Sequence, residues 1–513
     1  MISERQFRRE SMQQKTQMFT QRPPVGGWNT RDDIANMDPG DAPYLENWFP
    51  DTTAVRVRKG CRHYAVVSAP ANFETLLEFN SPEISAFILA SQGRITAHHD
   101  NVSRILANNF ALNEWQGVNF NGRMVLVNGV DLPQLITAED GQFDAEPQPY
   151  SGITDTTSLI DCHVFKSRVF YVQRDSADFY YTETDAIGGS LTRFPLSGVA
   201  RQGGKLVTIR SWTVDGGDGP DDIAVFIMST GEVLAYQGTD PGRSGQWGLI
   251  GRYQMPELLH RRCIVQSAGK IYAVTKADLV ILPDAFQELS PKPSKLTGAI
   301  SAASDKYANN RGWQFVVFQS GGIALLNVPT GATTSEQFVI NLKTAAATKY
   351  TGWNTFCFGI WDNRLFFNPY DTARLVRAES GIDDTFNGTL FHSIMCRSQL
   401  APSNLGQQQY KDVVDYRMRI SNEGDVNISS GIAYDFSNKP EFYHQVTQET
   451  LGTPWGSAWG SSWSEEDFSK DEWIGASGQG THAQLRNEVV ASGQNLKWYG
   501  TQYRFTMKAP QVV

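Results

Sequence analysis

Apolar and polar residues alternate in short runs that are separated by two-residue turns. The pattern is clearest in residues 116–137, where turns at Asn121-Gly122 and Asn128-Gly129 interrupt apolar runs. Asn-Gly pairs between such runs are typical of β-hairpins, because both residues tolerate positive φ. The segment predicts two or three short antiparallel strands, a unit too small to bury its own face.

The same pattern recurs along the chain. Seven segments carry it, separated by about 30–65 residues: 84–97, 116–137, 162–181, 223–237, 264–282, 313–328 and 356–376. Small antiparallel sheets that repeat at this spacing are expected to pack radially as blades. The predicted fold class is therefore all-β, an irregular β-propeller of six or seven blades with an additional β-rich platform formed by the termini.

The regions outside these repeats differ in character. Residues 1–24 are polar and predict an arm that stays disordered or docks on a neighbouring subunit. A short helix is predicted at 42–48. The loops 185–206 and 283–308 are each predicted to be an insertion that projects from a blade or a small extra module. Alternating runs at 413–420, 426–434 and 498–507 predict further strands near the C-terminus.

These features predict four segments. They are the N-terminal arm (1–24), an N-terminal segment of the platform (25–65), the propeller with its loop insertions (66–399) and a C-terminal β-rich platform (400–513). Within the second segment, residues 54–58 predict a strand with Val55 and Val57 on one face and Arg56 and Arg58 on the other. The arginines would meet the acids of a partner or lie on a solvated strand face.

Composition narrows the classes of partner. The 513 residues carry a formal net charge of -9, which argues against a general nucleic-acid-binding surface, although a mildly acidic wall would let DNA slide past. The 5 cysteines are far apart and form no CxxC pair, so reduced thiols are expected rather than zinc sites or disulfides. The charged start of the chain predicts no secretory signal, and no apolar run is long enough to predict a membrane span.

The candidate catalytic and metal-binding groups are weak. The acidic loop 215–222 offers carboxylates on a Gly-rich turn but lacks the spacing of an EF-hand. His98 and His99 are adjacent, so on a strand they point to opposite faces and cannot ligate one ion. Ser244 lacks the spacing of a nucleophile elbow, and no carboxylate pair stands out. We therefore expect no enzyme activity, no metal and no cofactor.

The most unusual tract is residues 451–463, LGTPWGSAWGSSW. Trp455, Trp459 and Trp463 recur every four residues, but the Gly and Ser between them disfavour a helix. A loop that presents three tryptophans would be covered by a subunit or partner, or would fold back into the core of its own domain. Acidic residues follow directly: Glu465, Glu466, Asp467, Asp471 and Glu472.

Residues 26–65 carry a family resemblance. They resemble the opening of tail nozzle proteins (also called tail tube B or tail stabilisation proteins) of short-tailed, double-stranded DNA bacteriophages. Those proteins have a Gly-Gly-x-Asn segment, a Met-x-Pro run and a Val-x-x-Arg-x-Gly strand. The matching residues are Gly26, Gly27, Asn29, Met37, Pro39, Ala42, Leu45, Asn47, Pro50, Val55, Arg58 and Gly60. The tract 454–460 is similar to a C-terminal segment of the same family.

The resemblance implies a structural virion protein. It implies a hexameric ring in the tail, below the adaptor, whose central channel retains genomic DNA and conducts it into the host without sequence-specific contacts. Tail fibres or other distal tail proteins would be further partners, and synthesis would take place in the host cytoplasm. The family brings no catalytic residues, cofactor or membrane span. The irregular spacing of the repeats departs from a regular pattern and leaves six or seven blades open.

Two alternatives to this function remain at the level of sequence. A propeller that binds or cleaves a cell-surface glycan would stack its aromatic side chains on sugar rings. A cellular scaffold propeller is the other. For the tail protein, Arg56, Arg58, Trp455, Trp459 and Trp463 are the residues predicted at subunit or partner interfaces.

Overall fold

The structure is a computed structural model. It describes residues 15–215, 220–287, 293–388, 392–422, 426–437, 440, 443–448 and 472–507. The chain divides into two units, Arg58–Ile394 and a second unit that combines Met1–Val57 with Met395–Val513. In the described residues helix is confined to Asp284–Gln287 and Thr297–Tyr307, with 3-10 turns at Thr156–Ser158 and Gln319–Gly321. The predicted all-β class is confirmed.

The unit Arg58–Ile394 is a β-propeller built from small antiparallel blades. The strands of blades 1 and 2 are Thr75–Asn80, Ser85–Ser91, Arg94–His99 and Val102–Asn108, then Gln116–Phe120, Arg123–Val127, Gln134–Glu139 and Gln142–Pro147. The strands of blades 3 and 4 are Leu159–Phe165, Arg168–Gln173, Asp178–Tyr181 and Thr192–Pro195, then Leu206–Asp215, Pro220–Met228, Glu232–Gly238 and Trp247–Gln254. A short parallel pair, Tyr150–Ser151 with Gly189–Ser190, stands beside blade 3.

Six blades form sheets of their own, and a further four-stranded blade lies between the fifth and the last. Blade 5 has three strands in the described residues, Ile264–Ser267, Lys270–Val274 and Leu279–Leu282. The strands of blade 6 are Gln314–Phe318, Ile323–Pro329, Ser335–Asn341 and Ala347–Tyr350. The last blade, blade 7, contains Phe358–Trp361, Arg364–Phe367, Arg374–Arg377, Cys61–Val66 and Asp384–Thr385. Each of the seven predicted repeats thus contributes strands to its own blade.

The turns within the blades have the backbone conformation that the sequence predicts. Asn121 and Gly122 have φ of +49° and +72°, and Gln92, Ala268 and Asp362 begin turns of the same kind with φ of +44°, +51° and +49°. Positive φ at both central residues gives the turn a twist that matches the twist of the flanking strands. Tight hairpins therefore follow from local sequence at these places.

Neighbouring blades share apolar cores. Side chains of blades 1 and 2 pack around Trp115 and Ile88, those of blades 3 and 4 around Phe170 and Phe226, and equivalent clusters join blades 2 to 3, 4 to 5 and 7 to 1. Blade 6 is joined to blade 7 by the amide of Gln314, which donates to Phe358 O at 3.0 Å and accepts from Phe358 N at 2.7 Å. In these five clusters the apolar core is shared between two neighbouring blades.

The two ends of the ring meet in one sheet. Cys61–Val66, the first strand of the unit, pairs antiparallel with Arg374–Arg377, and the short strand Asp384–Thr385 pairs parallel with it. Because these segments lie about 300 residues apart, closing the ring is entropically costly and needs strong local contacts. The last blade therefore locks the propeller.

A buried ion pair reinforces this lock. Arg58 donates through Nη1 and Nη2 to the two oxygens of Asp384 at 3.0 and 2.6 Å, and the two side chains are 1% and 6% exposed. The guanidinium lies 4.6 Å from the ring of Trp353, whose Nε1 also donates to Asp384 at 3.1 Å. The expectation that Arg58 faces solvent or the acids of a partner is wrong. The N–H groups of its guanidinium donate to Asp384 and Thr351 inside its own unit.

The unit formed by the chain ends contains two sheets. The first holds Gln17–Gln21, Trp48–Pro50, Val55–Val57, Lys411–Ser421, Ile474–Gly475, Gln479–Gly480 and Lys497–Met507. The second holds Tyr44–Glu46, Ile394–Gln399, Val426–Tyr434, His444–Gln448 and Ala483–Ala491, and the parallel pair Gly27–Trp28 and Asp41–Ala42 completes the elements. A hydrogen bond of 2.9 Å between the hydroxyls of Tyr416 and Ser430 joins the two sheets. This unit is the predicted platform.

Three local expectations differ from the structure. The predicted helix at 42–48 is wrong: Tyr44–Glu46 and Trp48–Pro50 are strands, because cross-strand partners override a weak helical pattern. Part of the predicted arm, Gln17–Gln21, is a strand paired with Lys497–Met507. Both predicted loop regions contain regular elements: 283–308 contains the helix Thr297–Tyr307, and 185–206 contains Thr192–Pro195, the outer strand of blade 3. The unit boundaries fall at 57/58 and 394/395, beside the predicted 65/66 and 399/400.

We predict that Arg58→Met destabilises the protein by about 3–5 kcal/mol, since it leaves the carboxylate of Asp384 buried without its counter-charge. Arg58→Met/Asp384→Asn removes that charge and should be more stable than the single variant. Chemical denaturation of both variants and of the surface control Arg94→Ala provides the measurement. A single variant as stable as the control would contradict the lock.

Candidate functional site

A half-open cavity of about 260 Å³ lies at the centre of the propeller. Its lining comes from the starts of the innermost strands of most blades and includes Thr75, Gln116, Arg210, Arg262, Gln314 and Phe358. A cavity of this size is at the lower end of the range for small-molecule pockets and far too small for a duplex. The axis of a propeller is a frequent position for a functional site.

Arg262 spans this axis. It belongs to the loop before blade 5 and donates to Glu74 O at 2.7 Å, to Thr75 Oγ1 at 3.0 Å and to Trp115 O at 2.9 Å. Those acceptors lie at the starts of blades 1 and 2. Blade 1 is three blades from blade 5 in one direction around the ring, and blade 2 is three blades away in the other direction. A side chain that joins opposite blades has to cross the middle, so Arg262 closes the propeller at this level.

Further charges surround this arginine. Glu114 lies 3.4 Å from Arg261 and 3.9 Å from Arg262, and His260 Nε2 lies 3.6 Å away. Arg311 forms an ion pair with Glu74 nearby. Two carboxylates from the blade 1 and blade 2 loops thus face cations from the loops before blades 5 and 6. We call Glu74, Glu114, His260, Arg261, Arg262 and Arg311 the axial cluster.

Burial and charge act in opposite directions on Glu114. Burial alone would raise its pKa, but the positive charges of Arg262, His260, Arg261 and Arg311 outweigh burial and lower the pKa to about 2. For His260, burial outweighs the attraction of Glu114 and lowers the pKa to about 4. Near neutral pH the cluster therefore holds an ionised carboxylate and a neutral imidazole.

A second polar set follows the inner strands of blades 3 to 5. His163 Nε2 lies 3.1 Å from Ser211 Oγ, which donates to Gln266 Oε1 at 3.2 Å. Burial lowers the pKa of His163 to about 3, and the positive charge of Arg210 adds to this effect. Arg210 itself donates to Asp161 at 2.9 Å. The serine is hydrogen-bonded between blades, so this chain of contacts is suited to fixing the blades together.

Most residues that carry the family resemblance lie in the platform unit, whereas Arg58 and Gly60 lie in the propeller unit. A Cβ on Gly26 would come within 1.9 Å of Asp41 Oδ1, and the amide of Asn29 donates to Asp41 Oδ2 at 2.7 Å. Asn47 has φ of +57° and donates to Met395 O at 2.8 Å. Gly and Asn are required there by close approach and by left-handed backbone. The motif is a folding signature of this unit.

The predicted interface residues fall into three groups. Arg58 is buried in the propeller, as described above. Arg56 remains on the outer face of a platform sheet, with its guanidinium 4.3 Å from the ring of Phe49 and 3.9 Å from Asp51. Trp455, Trp459 and Trp463 lie outside the described residues, and so does part of the acidic loop 215–222.

The other candidate groups have structural partners. His98 is buried, with Nδ1 2.9 Å from Ser103 Oγ, whereas His99 Nδ1 lies 2.7 Å from Ser85 O. Across the described ranges, no three His, Cys, Asp or Glu side chains are grouped as metal ligands. All five cysteines are buried as free thiols. In the same part of the chain no helix is long and apolar enough to cross a membrane.

Sequence reasoning missed the axial cluster. The signal present was the run His260-Arg261-Arg262 in an otherwise apolar neighbourhood, but its partners Glu74 and Glu114 are about 150–190 residues away. Only the ring topology brings them together.

No protein-family model and no curated protein matches the chain. Among solved structures, "YCF48 bound to D1 peptide" is similar over 62% of this chain and 97% of that one, at 9% identity and a TM-score of 0.37. "BBS1N in complex with ARL6DN" covers 63% and 97%, at 11% identity and 0.38. Chaetomium thermophilum Raptor covers 63% of this chain and 29% of its own, at 9% and 0.40. These similarities carry no functional argument, and the propeller assignment rests on the sheets themselves.

Arg262→Met is expected to cost about 3–5 kcal/mol of unfolding free energy, because it removes one of the cations that face Glu114 and leaves Glu74 O, Thr75 Oγ1 and Trp115 O without this donor. Arg94→Met, on the exposed start of a blade 1 strand, is the matched control. Urea titration followed by tryptophan fluorescence measures both, and equal midpoints would show that the axial cluster does not hold the ring.

Stability is also expected to fall as the pH drops from about 6.5 towards 4. The depressed pKa of His260 means that the unfolded chain binds this proton first, so the stabilisation present above pH 6.5 is lost as the pH approaches 4. The contribution of Glu114 is lost later, between its ordinary pKa of 4.5 and about 2. His260→Gln should reduce the slope of unfolding free energy against pH between pH 6.5 and 4. The reduction corresponds to at most about one proton.

Denaturant midpoints measured at half-unit pH steps test this slope. The control is His444→Gln, which replaces a partly exposed histidine on a strand of the platform. An unchanged slope in His260→Gln would contradict the assignment.

Proposed function

We propose that the protein is a structural component of the tail of a short-tailed, double-stranded DNA bacteriophage. It would form a ring-shaped nozzle below the adaptor that retains genomic DNA and then conducts it during ejection. Its location would be the virion tail, and its role would be assembly and conduction without catalysis. The observation that carries the proposal is the platform, in which the segment that resembles the tail nozzle family folds together with the C-terminal strands.

The geometry of the resemblance motif supports this proposal. Gly26, Asn29 and Asn47 stand where close packing or positive φ demands them, and Ala42 and Leu45 are fully buried. Agreement at such positions reflects a shared backbone path rather than shared composition. A resemblance at such constrained positions is a stronger guide to architecture than a resemblance on the surface. The proposed function is the one that this family has.

The closed axis of the propeller supports a channel between copies. Arg262 and the axial cluster occupy the middle of the ring, and the cavity beside them measures about 260 Å³. Duplex DNA cannot follow such a path. A conduit for the genome would therefore be enclosed by several copies of the chain, which fits the hexameric ring that the resemblance implies.

The polar groups of the propeller favour a structural role. The axial cluster and the pair Asp161–Arg210 are used for contacts between blades. The net charge of -9 would keep a genome from adhering to the walls that it passes. The adaptor, the tail fibres or other distal tail proteins, and further copies of this chain are the proposed partners.

Assembly on the adaptor is the direct test. The purified chain, mixed with adaptor rings of the same virus, should give six copies per ring, counted by electron microscopy and native mass spectrometry. A chain that stays monomeric in the presence of adaptor and binds a panel of cell-surface glycans would contradict the proposal and favour the glycan-binding alternative.

The tryptophan tract gives a more local test. We expect Trp455→Ala/Trp459→Ala/Trp463→Ala to weaken ring formation at least about tenfold, because buried aromatic side chains dominate interface energy. The fold itself is checked by the thermal midpoint, and Tyr443→Ala, which removes an exposed aromatic side chain of the platform, is the comparison. Unchanged assembly of the triple variant would remove these residues from the interface.

A further inference from the structure

His98 lies at the boundary between the first and the last blade of the ring. It belongs to the strand Arg94–His99 of blade 1 and is fully buried. The rings of Tyr64 and Trp361, both in blade 7, stand at steep angles to its imidazole, with centroids 6.2 and 6.1 Å away. Tyr64 comes from the strand that closes the ring, and Trp361 ends the inner strand of the same blade. His98 therefore packs against the closure itself.

One ring nitrogen of His98 has no hydrogen-bond partner in the described residues. Nδ1 lies 2.9 Å from Ser103 Oγ, on the neighbouring strand of blade 1, whereas Nε2 is buried and unpartnered. A neutral imidazole fits this position, since Nδ1 can accept a hydrogen bond from the hydroxyl of Ser103 while Nε2 remains among the aromatic rings. A protonated imidazole would instead bury a positive charge whose second N–H group has no acceptor.

The acids on the elements around His98 are engaged elsewhere. Glu78 lies on the same face of blade 1, two strands away, where its Oε1 accepts a hydrogen bond of 3.2 Å from Asp362 N. Asp100 Oδ2 lies 3.1 Å from Nε2 of His99, which projects from the opposite face of the strand. The carboxylate of Asp362 lies 3.5 Å from Arg364. The other ionisable groups that face this boundary are Tyr64 and four cations: Arg62, Arg94, Arg364 and Arg377. A proton on His98 would therefore meet aromatic rings and cations rather than a carboxylate.

The packing at this boundary depends on the charge of the imidazole. Burial lowers the pKa of His98, and the positive charge of His99 lowers it further. When blade 7 separates from blade 1, the imidazole reaches water and its pKa returns towards the ordinary value of 6.5. The open form therefore binds the proton at a higher pH than the closed form does. The contact is fully stabilising above pH 6.5 and weakens as the pH falls below that value.

We propose that His98 makes the closed ring sensitive to acid: protonation of its imidazole loosens the packing of Tyr64 and Trp361 and opens the propeller between blade 1 and blade 7. The closure is also held by the pairing of Cys61–Val66 with Arg374–Arg377 and by Trp361 Nε1, which donates to Ser85 Oγ of blade 1 at 3.0 Å. Losing the contacts of His98 leaves fewer bonds to offset the entropy gained by opening a loop of about 300 residues. The opening is a property of the propeller alone and does not depend on assembly into a tail ring.

Two other buried histidines lie elsewhere in the ring. His163 is in blade 3, with Nε2 3.1 Å from Ser211 Oγ of blade 4, and His260 belongs to the axial cluster. Protonation of these residues acts on the boundary of blades 3 and 4 and on the axis, whereas protonation of His98 acts on the closing strand. A measurement that resolves regions of the chain separates these effects.

Hydrogen–deuterium exchange of the full chain, read peptide by peptide, tests the proposal. Between about pH 7 and pH 5, the protection factor of Cys61–Val66 should fall at least about fivefold once the intrinsic pH dependence of exchange is removed, because opening takes up a proton. Leu206–Asp215 of blade 4 is the internal reference and should change less. His98→Gln cannot acquire a charge and should abolish the difference. His99→Gln, on the opposite face of the same strand, is the matched control and should retain it.

Two results would overturn the proposal. One is an acid dependence of Cys61–Val66 that persists in His98→Gln, since the proton would then act elsewhere, for example on His63 of the same strand. The other is an equal loss of protection in Cys61–Val66 and Leu206–Asp215, which reports unfolding of the whole propeller. His98→Leu repeats the measurement with an apolar side chain, so that a glutamine that disturbs the packing does not decide the outcome. Loss of the acid dependence in both variants supports the acid-sensitive closure.

Discussion

Packing between incomplete sheets is the constraint on which the rest of this structure depends. Each blade is three to five short strands with an apolar face on either side, and neither face can be buried within the blade. Burial is obtained only from the next blade, so the blades require one another around a closed ring. The clusters around Trp115, Phe170 and Trp212 are shared in this way.

Closure then becomes the step that completes the core. The strand Cys61–Val66 leaves the start of the unit to join the last blade, and Arg58 and Asp384 form a buried pair beside it. A buried pair contributes little net energy when it is intact, but breaking it is costly. Such a contact favours the correct closure over other arrangements of similar strands.

The centre of the ring also serves stability. Where some propellers leave an open channel, this one places Arg262 and its carboxylate partners across the axis. The charged groups neutralise one another at partly buried positions, where their attraction is stronger than in water. The platform, with its constrained motif, is consequently a better candidate for function than the axis.

Local sequence determined the strands, the tight turns and the all-β class, because the period-2 pattern and pairs such as Asn121-Gly122 act within a few residues. It also predicted that both chain ends build a platform. Tertiary structure alone decided the burial of Arg58, the axial cluster and the strands at 42–48, since each depends on partners supplied by distant segments. Glu114 meets Arg262 only after the ring has closed, and no pattern along the chain encodes a contact that arises from closure.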